Sequence, residues 1–283
     1  MPSLTLLGQS VLSGILVGGL YGLLGMGLSL SWGLLRLINL AHFALAFLGA
    51  YLTYALASGF GLDPLLTLLL IPPAFFALGV LLQMLFARFG VTEFSSLLVT
   101  FGLTVIIESL IQWIWTADYR RLETVYSAVS LRAGGLFIPL AELLALATAV
   151  VLAGFTWTWL RFTWVGKAIR ASAEDPLMAA AFGVNHRRLA LVLSGIAAAY
   201  AGVAGAFVAL VYTLAPAQIY AWIGVVFAAV IIGGLGNPLG PLVAGIVIGV
   251  SEALTMALTT PAWAPLVSFT LLILVLLLRP DRV

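Results

Sequence analysis

The sequence predicts an all-α integral membrane protein, a polytopic bundle of about eight to nine transmembrane segments in one domain that covers residues 1–283. Three observations predict this class. Of the 283 residues, 63% are hydrophobic and only 8% are charged, whereas soluble domains carry about 25% charged residues. The mean hydropathy is +1.21. Long uncharged stretches recur along the chain, and about 20 apolar residues suffice to cross a bilayer. A soluble enzyme is excluded because so few charged side chains cannot form its polar surface.

Nine hydrophobic segments follow one another, separated by charged or turn residues. The first contains 11–31, a retained span and not a cleaved signal, because no basic residue precedes Arg36. Pro72-Pro73 predicts a kink in the third segment, and Gly233-Gly234 predicts that the seventh ends in a turn. Because several segments contain such pairs, one or two are expected to be discontinuous or re-entrant. The nine segments are 5–35, 37–58, 64–86, 94–117, 137–160, 189–214, 220–235, 239–258 and 262–278.

The chain must break between the first two segments. A single helix over 14–57 would be about 65 Å long, twice the thickness of the hydrocarbon core. Asn39 is a candidate N-cap for a half-helix that begins at Leu40, with His42 in its first turn. Such an N-terminus inside the membrane would present free N–H groups to a carboxylate. The alternative is an ordinary turn at the cytoplasmic surface, which the neighbouring Arg36 favours equally.

A row of polar residues four apart marks the fourth segment. One stripe of this helix avoids lipid, because a charge at membrane depth is kept only where it faces protein or water. The row winds over about 160°, while Thr100, Thr104 and Glu108 stay within about 80°. It either lines a pathway for a polar solute or forms a hydrogen-bonded seam between helices. The row consists of Ser96, Thr100, Thr104, Glu108 and Gln112.

Small residues four apart predict close helix packing in three other segments. Such rows let helix backbones approach, and they indicate a compact bundle without indicating a function. The rows are Gly14, Gly18 and Gly22; Ala198, Gly202 and Ala206; and Gly245 and Gly249.

The loop 161–188 carries the densest positive charge and is therefore placed in the cytoplasm by the positive-inside rule. Single crossings from this loop also place Arg88 and the C-terminal arginines inside, and leave the N-terminus open. The segment 118–136 falls outside although it holds three arginines, so either it escapes the rule or the span count between 94 and 160 is wrong by one. The basic residues of the loop are Arg161, Lys167, Arg170, Arg187 and Arg188, the C-terminal ones are Arg279 and Arg282, and those of 118–136 are Arg120, Arg121 and Arg132.

The same loop has residues that are typical of the two ends of a short helix. Asp175 is a good N-cap, Pro176 fits the first helical position and Gly183 fits the position after the end. Its apolar side chains Leu177, Met178 and Phe182 would either dock into a groove on a partner or pack against the bundle of their own chain.

Several kinds of chemistry are excluded by composition. The chain has no cysteine and only two histidines, so no metal site and no cofactor is expected. No nucleophile–base pair can be assembled, and we therefore expect no enzyme. A net charge of +2 argues against nucleic-acid binding. Gly166-Lys167 lacks the remaining residues of a phosphate-binding loop. Uphill transport would therefore need an ion gradient or a separate ATPase.

Three segments, 19–42, 166–185 and 227–240, together resemble the membrane permeases of branched-chain amino acid ABC importers. Residues 19–42 contain Gly19-Leu20-Tyr21-Gly22 and end in Asn39-Leu40-Ala41-His42; Phe43 stands where the family usually has glycine. The resemblance implies that Asn39 and His42 lie near the translocation path. It also implies a helix in the loop that couples to an ATPase, and a glycine-rich C-terminal motif. The coupling residues would be Gly166, Arg170, Asp175, Pro176, Ala179, Ala180 and Gly183, and the motif glycines Gly233, Gly234, Gly236 and Gly240.

The resemblance further implies a set of partners and a location. These are a second permease subunit, commonly a paralogue in a heterodimer, two cytoplasmic ATPase subunits and an external solute-binding protein. They would assemble in the lipid bilayer of the bacterial or archaeal plasma (inner) membrane. The leading hypothesis is a permease subunit of an ATP-driven importer for branched-chain or related hydrophobic amino acids. The alternative is an ion-coupled secondary transporter with Glu108 as its titrating group. The family also includes permeases for urea and short amides, so the sequence leaves the solute open.

Overall fold

The computed structural model describes residues 3–278, in which all but a few elements are helical. Nine helices of this part are long and apolar enough to cross a membrane, either alone or with a preceding turn of 3-10 helix. The all-α, polytopic fold class is thereby confirmed. In chain order the helices are α1 (Leu4–Leu35), α2 (Ala41–Phe60), α3 (Thr67–Arg88), α4 (Glu93–Trp115), α5 (Val125–Ala128), α6 (Leu140–Phe162), α7 (Trp164–Glu174), α8 (Pro176–Ala181), α9 (His186–Val211), α10 (Ile219–Gly233), α11 (Leu239–Leu258) and α12 (Ala264–Leu278).

The short elements lie in the connections between spans or at the start of a span. Helices α5, α7 and α8 are in the connections, and 3-10 turns at Pro216–Gln218 and Pro261–Trp263 precede α10 and α12. The antiparallel strands β1 (Ser130–Ala133) and β2 (Leu136–Pro139) form a hairpin before α6. The predicted fifth segment began at 137, whereas α6 begins at Leu140, because residues 136–139 belong to β2.

Helix α1 lies against α11 through glycines on both helices. A Cβ atom added to Gly18 would lie 2.4 Å from the carbonyl oxygen of Gly245, and one added to Gly14 would lie 2.6 Å from that of Gly249. A Cβ atom added to Gly22 would lie 2.6 Å from the Cα atom of Leu242. Since carbon atoms cannot approach so closely, only glycine fits, and the packing predicted from the small-residue rows is confirmed.

Helix α9 is the other central helix, and it packs on α2 and α3. A Cβ atom on Gly205 would lie 1.9 Å from the carbonyl oxygen of Ala46 in α2, and one on Gly202 would lie 3.0 Å from the ring of Phe75 in α3. Helix α3 continues through Pro72 and Pro73 without interruption. Helices α1 and α9 thus form the buried centre, around which the other spans are arranged.

The bundle has two ends, which we name the loop end and the hairpin end after the elements that each carries. The loop end carries α7 and α8, and the hairpin end carries β1 and β2. At the start of α1, the side chain of Gln9 donates to the carbonyl oxygen of Phe137 and accepts from its N–H group, both at 2.9 Å. Just beyond its end, Arg36 donates to the carbonyl oxygen of Ala173 at 3.4 Å. The described N-terminal residues therefore lie at the hairpin end, opposite the basic loop.

Basic residues are unevenly divided between the two ends. Between residues 94 and 160 the structure has two helices long and apolar enough to cross a membrane, α4 and α6, which match the two predicted segments, and the connection that contains the hairpin joins them. The arginines of 118–136 therefore lie at the end opposite the basic loop. One of them, Arg120, donates to the carbonyl oxygen of Trp115 at 2.9 Å and pairs its backbone with Leu214, so it has a structural partner there. Arg279 and Arg282, predicted to lie with the basic loop, are outside the described residues. At the loop end lie Arg36, Arg88, Arg161, Lys167, Arg170, Arg187 and Arg188, and at the hairpin end Arg120, Arg121 and Arg132.

Candidate functional site

The break between α1 and α2 lies at the loop end, over residues 36–40. Leu40 is the N-cap residue of α2, and no side chain caps the helix in the usual way. The N–H group of Leu40 donates instead to Thr100 Oγ1 in α4, at 3.0 Å. The predictions that Asn39 caps the helix and that α2 is a half-helix are wrong, because α2 has 20 residues. The Oδ1 atom of Asn39 is buried and has no hydrogen-bond partner among the described residues.

His42 lies inside the bundle, in the first turn of α2. Only 1% of its surface is exposed. Its Nε2 atom is 2.9 Å from the carbonyl oxygen of Leu24 in α1. Because a carbonyl oxygen only accepts, this nitrogen carries the proton. The ring also fills the space above Gly27, where a Cβ atom would lie 2.5 Å from His42 Cε1. His42 therefore joins α1 to α2 and does not face an open path in this conformation.

The polar row of α4 divides into two halves with different surroundings. Towards the loop end, Ser96, Thr100 and Thr104 are fully buried. Ser96 Oγ and Thr100 Oγ1 lie 3.3 Å and 3.2 Å from the carbonyl oxygen of Ile38 in the α1–α2 break. Thr104 donates to the carbonyl oxygen of Thr100 at 2.9 Å. Ser96 and Thr100 thus join α4 to the α1–α2 break, as the seam interpretation predicts, whereas Thr104 bonds within its own helix. All three side chains are buried in this conformation.

Towards the hairpin end, Glu108 belongs to a polar group on the surface of the chain. Its Oε2 atom accepts from the hydroxyl group of Tyr220 in α10 at 2.6 Å, and its Oε1 atom accepts from Gln112 Nε2 at 3.2 Å. Glu108 is half-buried, while Gln112 and Tyr220 are exposed. Glu108 lies seven residues before the end of α4, about 10 Å along the helix. A carboxylate at such a depth costs about 3 kcal/mol against lipid, so this face requires water or another protein.

Tyr220 was missed by the sequence analysis. It lies 112 residues from Glu108, and nothing in the local pattern of the 220–235 segment distinguishes it from an interfacial aromatic residue. The 3-10 turn Pro216–Gln218 lies against α4, and this brings Tyr220, at the start of α10, to Glu108.

Helix α8 has the predicted boundaries. The Oδ1 atom of Asp175 accepts from the N–H groups of Leu177 and Met178, at 3.0 Å each. Pro176 is the first residue of the helix. Gly183 has a φ of 83° and follows the C-cap residue. The helix predicted from its capping residues is therefore confirmed.

The apolar side chains of α8 point away from the bundle. Leu177 is 84% exposed, Met178 61% and Phe182 86%. Ala180 is exposed as well, whereas Ala179 is buried and faces the chain's own bundle. The alternative that this apolar face packs against its own chain is therefore wrong. A helix anchored on one side and apolar on its exposed side is typical of a protein docking surface.

Helix α7 is fixed to the bundle by a close approach at its first turn. A Cβ atom on Gly166 would lie 2.4 Å from Leu160 Cα. The N–H group of Gly166 donates to Thr163 Oγ1 at 3.0 Å. Arg170, one turn further along, is exposed. The position of α8 is thus determined by a rigid corner between α6 and α7.

The C-terminal glycines form the turn between α10 and α11, next to the α1–α2 break. Gly234 and Gly236 have φ values of 90° and 76°, which only glycine adopts easily. A Cβ atom on Gly233 would lie 2.4 Å from the carbonyl oxygen of Gly240. The N–H group of Gly236 donates to the carbonyl oxygen of Ser29 in α1 at 3.1 Å. The predicted turn is confirmed, and it holds the end of α1 in place.

At the hairpin end, a cavity of about 610 Å³ lies between the α2–α3 connection and residues 121–126. Asp63, Arg121 and Glu123 are among the residues that line it. The hydroxyl group of Tyr126 donates to Asp63 Oδ2 at 2.8 Å. This bond raises the pKa of Tyr126, because ionisation would break it and leave two negative charges side by side. The hairpin end therefore presents a polar, charged surface. Among residues 3–278, no group of three His, Asp or Glu side chains is placed to hold a metal ion.

Comparison with known proteins gives the family. Residues 10–276 match the family model described as a branched-chain amino acid transport system permease component. The permease protein BraD of the high-affinity branched-chain amino acid transport system of Pseudomonas aeruginosa is 26% identical, over 100% of this chain and 97% of its own. The corresponding permease protein LivH of Salmonella typhimurium is 24% identical, over 97% of this chain and 94% of its own. A protein of Methanocaldococcus jannaschii, named as a probable branched-chain amino acid transport permease protein, is 29% identical, over 85% and 78%.

No solved structure matches the chain significantly. The family match nevertheless runs from the second turn of α1 to the last turn of α12, so it includes most or all of each of the nine spans. The chain is a multi-pass membrane protein, and it belongs to the family of branched-chain amino acid transport system permease components.

Proposed function

We propose that the chain is the membrane permease subunit of an ATP-driven importer for branched-chain or related hydrophobic amino acids, in the plasma (inner) membrane of a bacterium or archaeon. The observation that carries the proposal is α8, whose exposed apolar face projects from the end of the bundle that holds most of the basic residues. The relatives, all permease components of branched-chain amino acid transport systems, support the same function.

In this proposal α8 is the coupling helix, and the loop end is cytoplasmic. Leu177, Met178 and Phe182 insert into a groove on an ATPase subunit, one of two such subunits in the complex. ATP binding and release move the coupling helix, and the rigid corner at Gly166 transmits this movement to α6. The helices around the pathway then tilt between two arrangements, which gives alternating access.

The pathway runs along the face of Glu108, Gln112 and Tyr220, at the interface with a second permease subunit, most simply a paralogue. Two observations support this position: the group is polar and the chain leaves it exposed. A partner subunit would remove it from lipid while leaving room for a polar solute. Asn39, His42, Thr100 and Thr104 would then stabilise the α1–α2 break behind the path.

The external solute-binding protein would dock at the hairpin end. The charged cavity at Asp63, Arg121 and Glu123 and the β1–β2 hairpin supply a polar surface there. An ion-coupled carrier is not favoured. The family model and the relatives are described as permease components of larger transport systems, whereas an ion-coupled carrier would act without further subunits. In this proposal Glu108 lines the path through its hydrogen bonds to Gln112 and Tyr220, and no titration of its carboxyl group is required.

Substitution of Glu108 tests the path. The chain is co-expressed with the ATPase, permease and binding-protein genes of its own system, and uptake of labelled leucine is measured. Glu108→Leu is expected to reduce uptake at least tenfold, because Tyr220 loses its acceptor and the polar face becomes apolar. Ser109→Leu is the matched control, since Ser109 is the next residue on the same helix and is also exposed; uptake by it should stay within about twofold. Unchanged uptake by Glu108→Leu, with unchanged assembly, would contradict a path at this face.

A further inference from the structure

A large cavity opens at the loop end, between the ends of α1, α3 and α9 and the junction of α7 with α8. Its volume is about 1000 Å³. Most of its lining is aliphatic, and this apolar wall is contributed by several spans at once. The wall includes Leu34, Leu37, Met84, Val91, Ala190 and Leu191.

Positive charge surrounds the mouth of this cavity. Arg36, Arg88 and Arg187 line it, one from each of the three spans or their ends, and His186 stands beside them. None of the described residues that line it is acidic. The guanidinium group of Arg36 donates to the carbonyl oxygen of Ala173 at 3.4 Å, which fixes its position and leaves it further N–H donors. Three arginines therefore line the cavity, with no carboxylate among the described lining residues.

One buried hydroxyl group in the lining has no partner. Ser172 in α7 is only 5% exposed, and its Oγ atom has no hydrogen-bond partner among the described residues. A buried polar atom without a partner costs about 1–3 kcal/mol, so the Oγ atom of Ser172 is a hydrogen-bonding group that a bound ligand could satisfy. Ser172 belongs to the cavity lining, close to Ala173 and therefore to Arg36.

We propose that this cavity binds the phosphate group of an anionic phospholipid from the leaflet at the loop end. The arginines and Ser172 would hold the phosphate oxygens, and the aliphatic wall would hold the upper part of an acyl chain. The cavity lies at the ends of three membrane-spanning helices, which is the depth of lipid headgroups, and basic pockets at this depth bind anionic lipids. A free phosphate ion would use the arginines but not the apolar wall.

The lipid would lie between the bundle and the proposed coupling helix, since Ala173 and Pro176 also line the cavity. It would therefore brace α7 and α8 against α3 and α9. This inference goes beyond the proposed function, and binding can be measured without any transport activity.

The test uses the full-length chain purified in detergent and measures bound lipid by native mass spectrometry. The probes are phosphatidylglycerol and phosphatidylcholine with identical acyl chains. We expect a preference for phosphatidylglycerol of at least tenfold. Arg187→Gln should weaken its binding about fivefold, as one cation near a lipid surface is worth about that factor. Arg188→Gln should leave it unchanged, because Arg188 is the next residue on the same helix and does not line the cavity.

Three results would overturn the proposal. One is equal binding of the two lipids. Another is an equal loss of binding in Arg187→Gln and Arg188→Gln, which would indicate general charge attraction. The third is displacement of phosphatidylglycerol by millimolar inorganic phosphate, which would indicate a site for free anions. Arg88→Gln removes a second, exposed cation from the lining and must give the same fivefold weakening, so the proposal stays testable if Arg187→Gln does not fold.

Discussion

Replacing Ala180 by glutamate is expected to lower ATP-driven uptake about 100-fold or more. Ala180 is exposed on α8, next to Leu177 and Phe182, which form its apolar surface. In the proposed complex this surface is buried against an ATPase subunit. An unpaired carboxylate in such an interface costs about 3 kcal/mol, which is more than two powers of ten in binding. The measurements are uptake of labelled leucine and co-purification of the ATPase subunits.

The matched control for this experiment is Ala171→Glu. Ala171 is also an exposed alanine of the same loop, but it lies on α7. It should retain uptake within about twofold, and both variants should reach the membrane in normal amounts. Uptake by Ala180→Glu at the level of the unmodified chain would contradict coupling through α8. An equal loss in both variants would show that the whole loop is sensitive to charge, with no special role for α8.

Replacing Gly205 by alanine is expected to destabilise the bundle by about 3 kcal/mol or more. The added Cβ atom would lie 1.9 Å from the carbonyl oxygen of Ala46 and 2.8 Å from the backbone nitrogen of Ala50. Because both neighbours are backbone atoms of α2, no side chain can move aside, and α2 and α9 must separate. The midpoint of thermal unfolding in detergent should fall by roughly 10 °C.

Gly102→Ala is the matched control for packing. Gly102 is also in a helix interior, but no atom of the described residues lies within 4 Å of the position of its Cβ atom. Alanine is favoured over glycine in helices by about 1 kcal/mol, so this variant should be as stable as the unmodified chain or slightly more so. If Gly205→Ala unfolds at the same temperature as Gly102→Ala, the close α2–α9 contact does not exist as described.

The sequence was sufficient for features that depend on local chemistry. The spans follow from apolar length alone, and the N-cap at Asp175 and the left-handed Gly183 follow from neighbours within a few residues. The hairpin was missed, although Gly134-Gly135 between two short runs is a signal of a tight turn. Its second strand was included in the fifth hydrophobic segment because it is itself apolar.

Features that depend on distant partners could not be predicted. Asn39 has the right residue type for a cap, but α4 places Thr100, 60 residues away, where it accepts from Leu40 instead. The polar row of α4 winds around its helix, so its two halves meet different neighbours: Ser96 and Thr100 contact the α1–α2 break, whereas Glu108 accepts from Gln112 and Tyr220. The orientation of the first segment was open because the arginines of 118–136 conflicted with the positive-inside rule; the contact of Gln9 with Phe137 places the start of α1 at the hairpin end.

The most direct test of the central claim is transport in proteoliposomes that contain the chain with its second permease subunit and two ATPases. The solute-binding protein and labelled leucine are supplied outside, and ATP is enclosed in the lumen. The account predicts accumulation that requires ATP, continues in the presence of a protonophore and is lost with Ala180→Glu. Accumulation without ATP, driven by an imposed proton gradient, would contradict it.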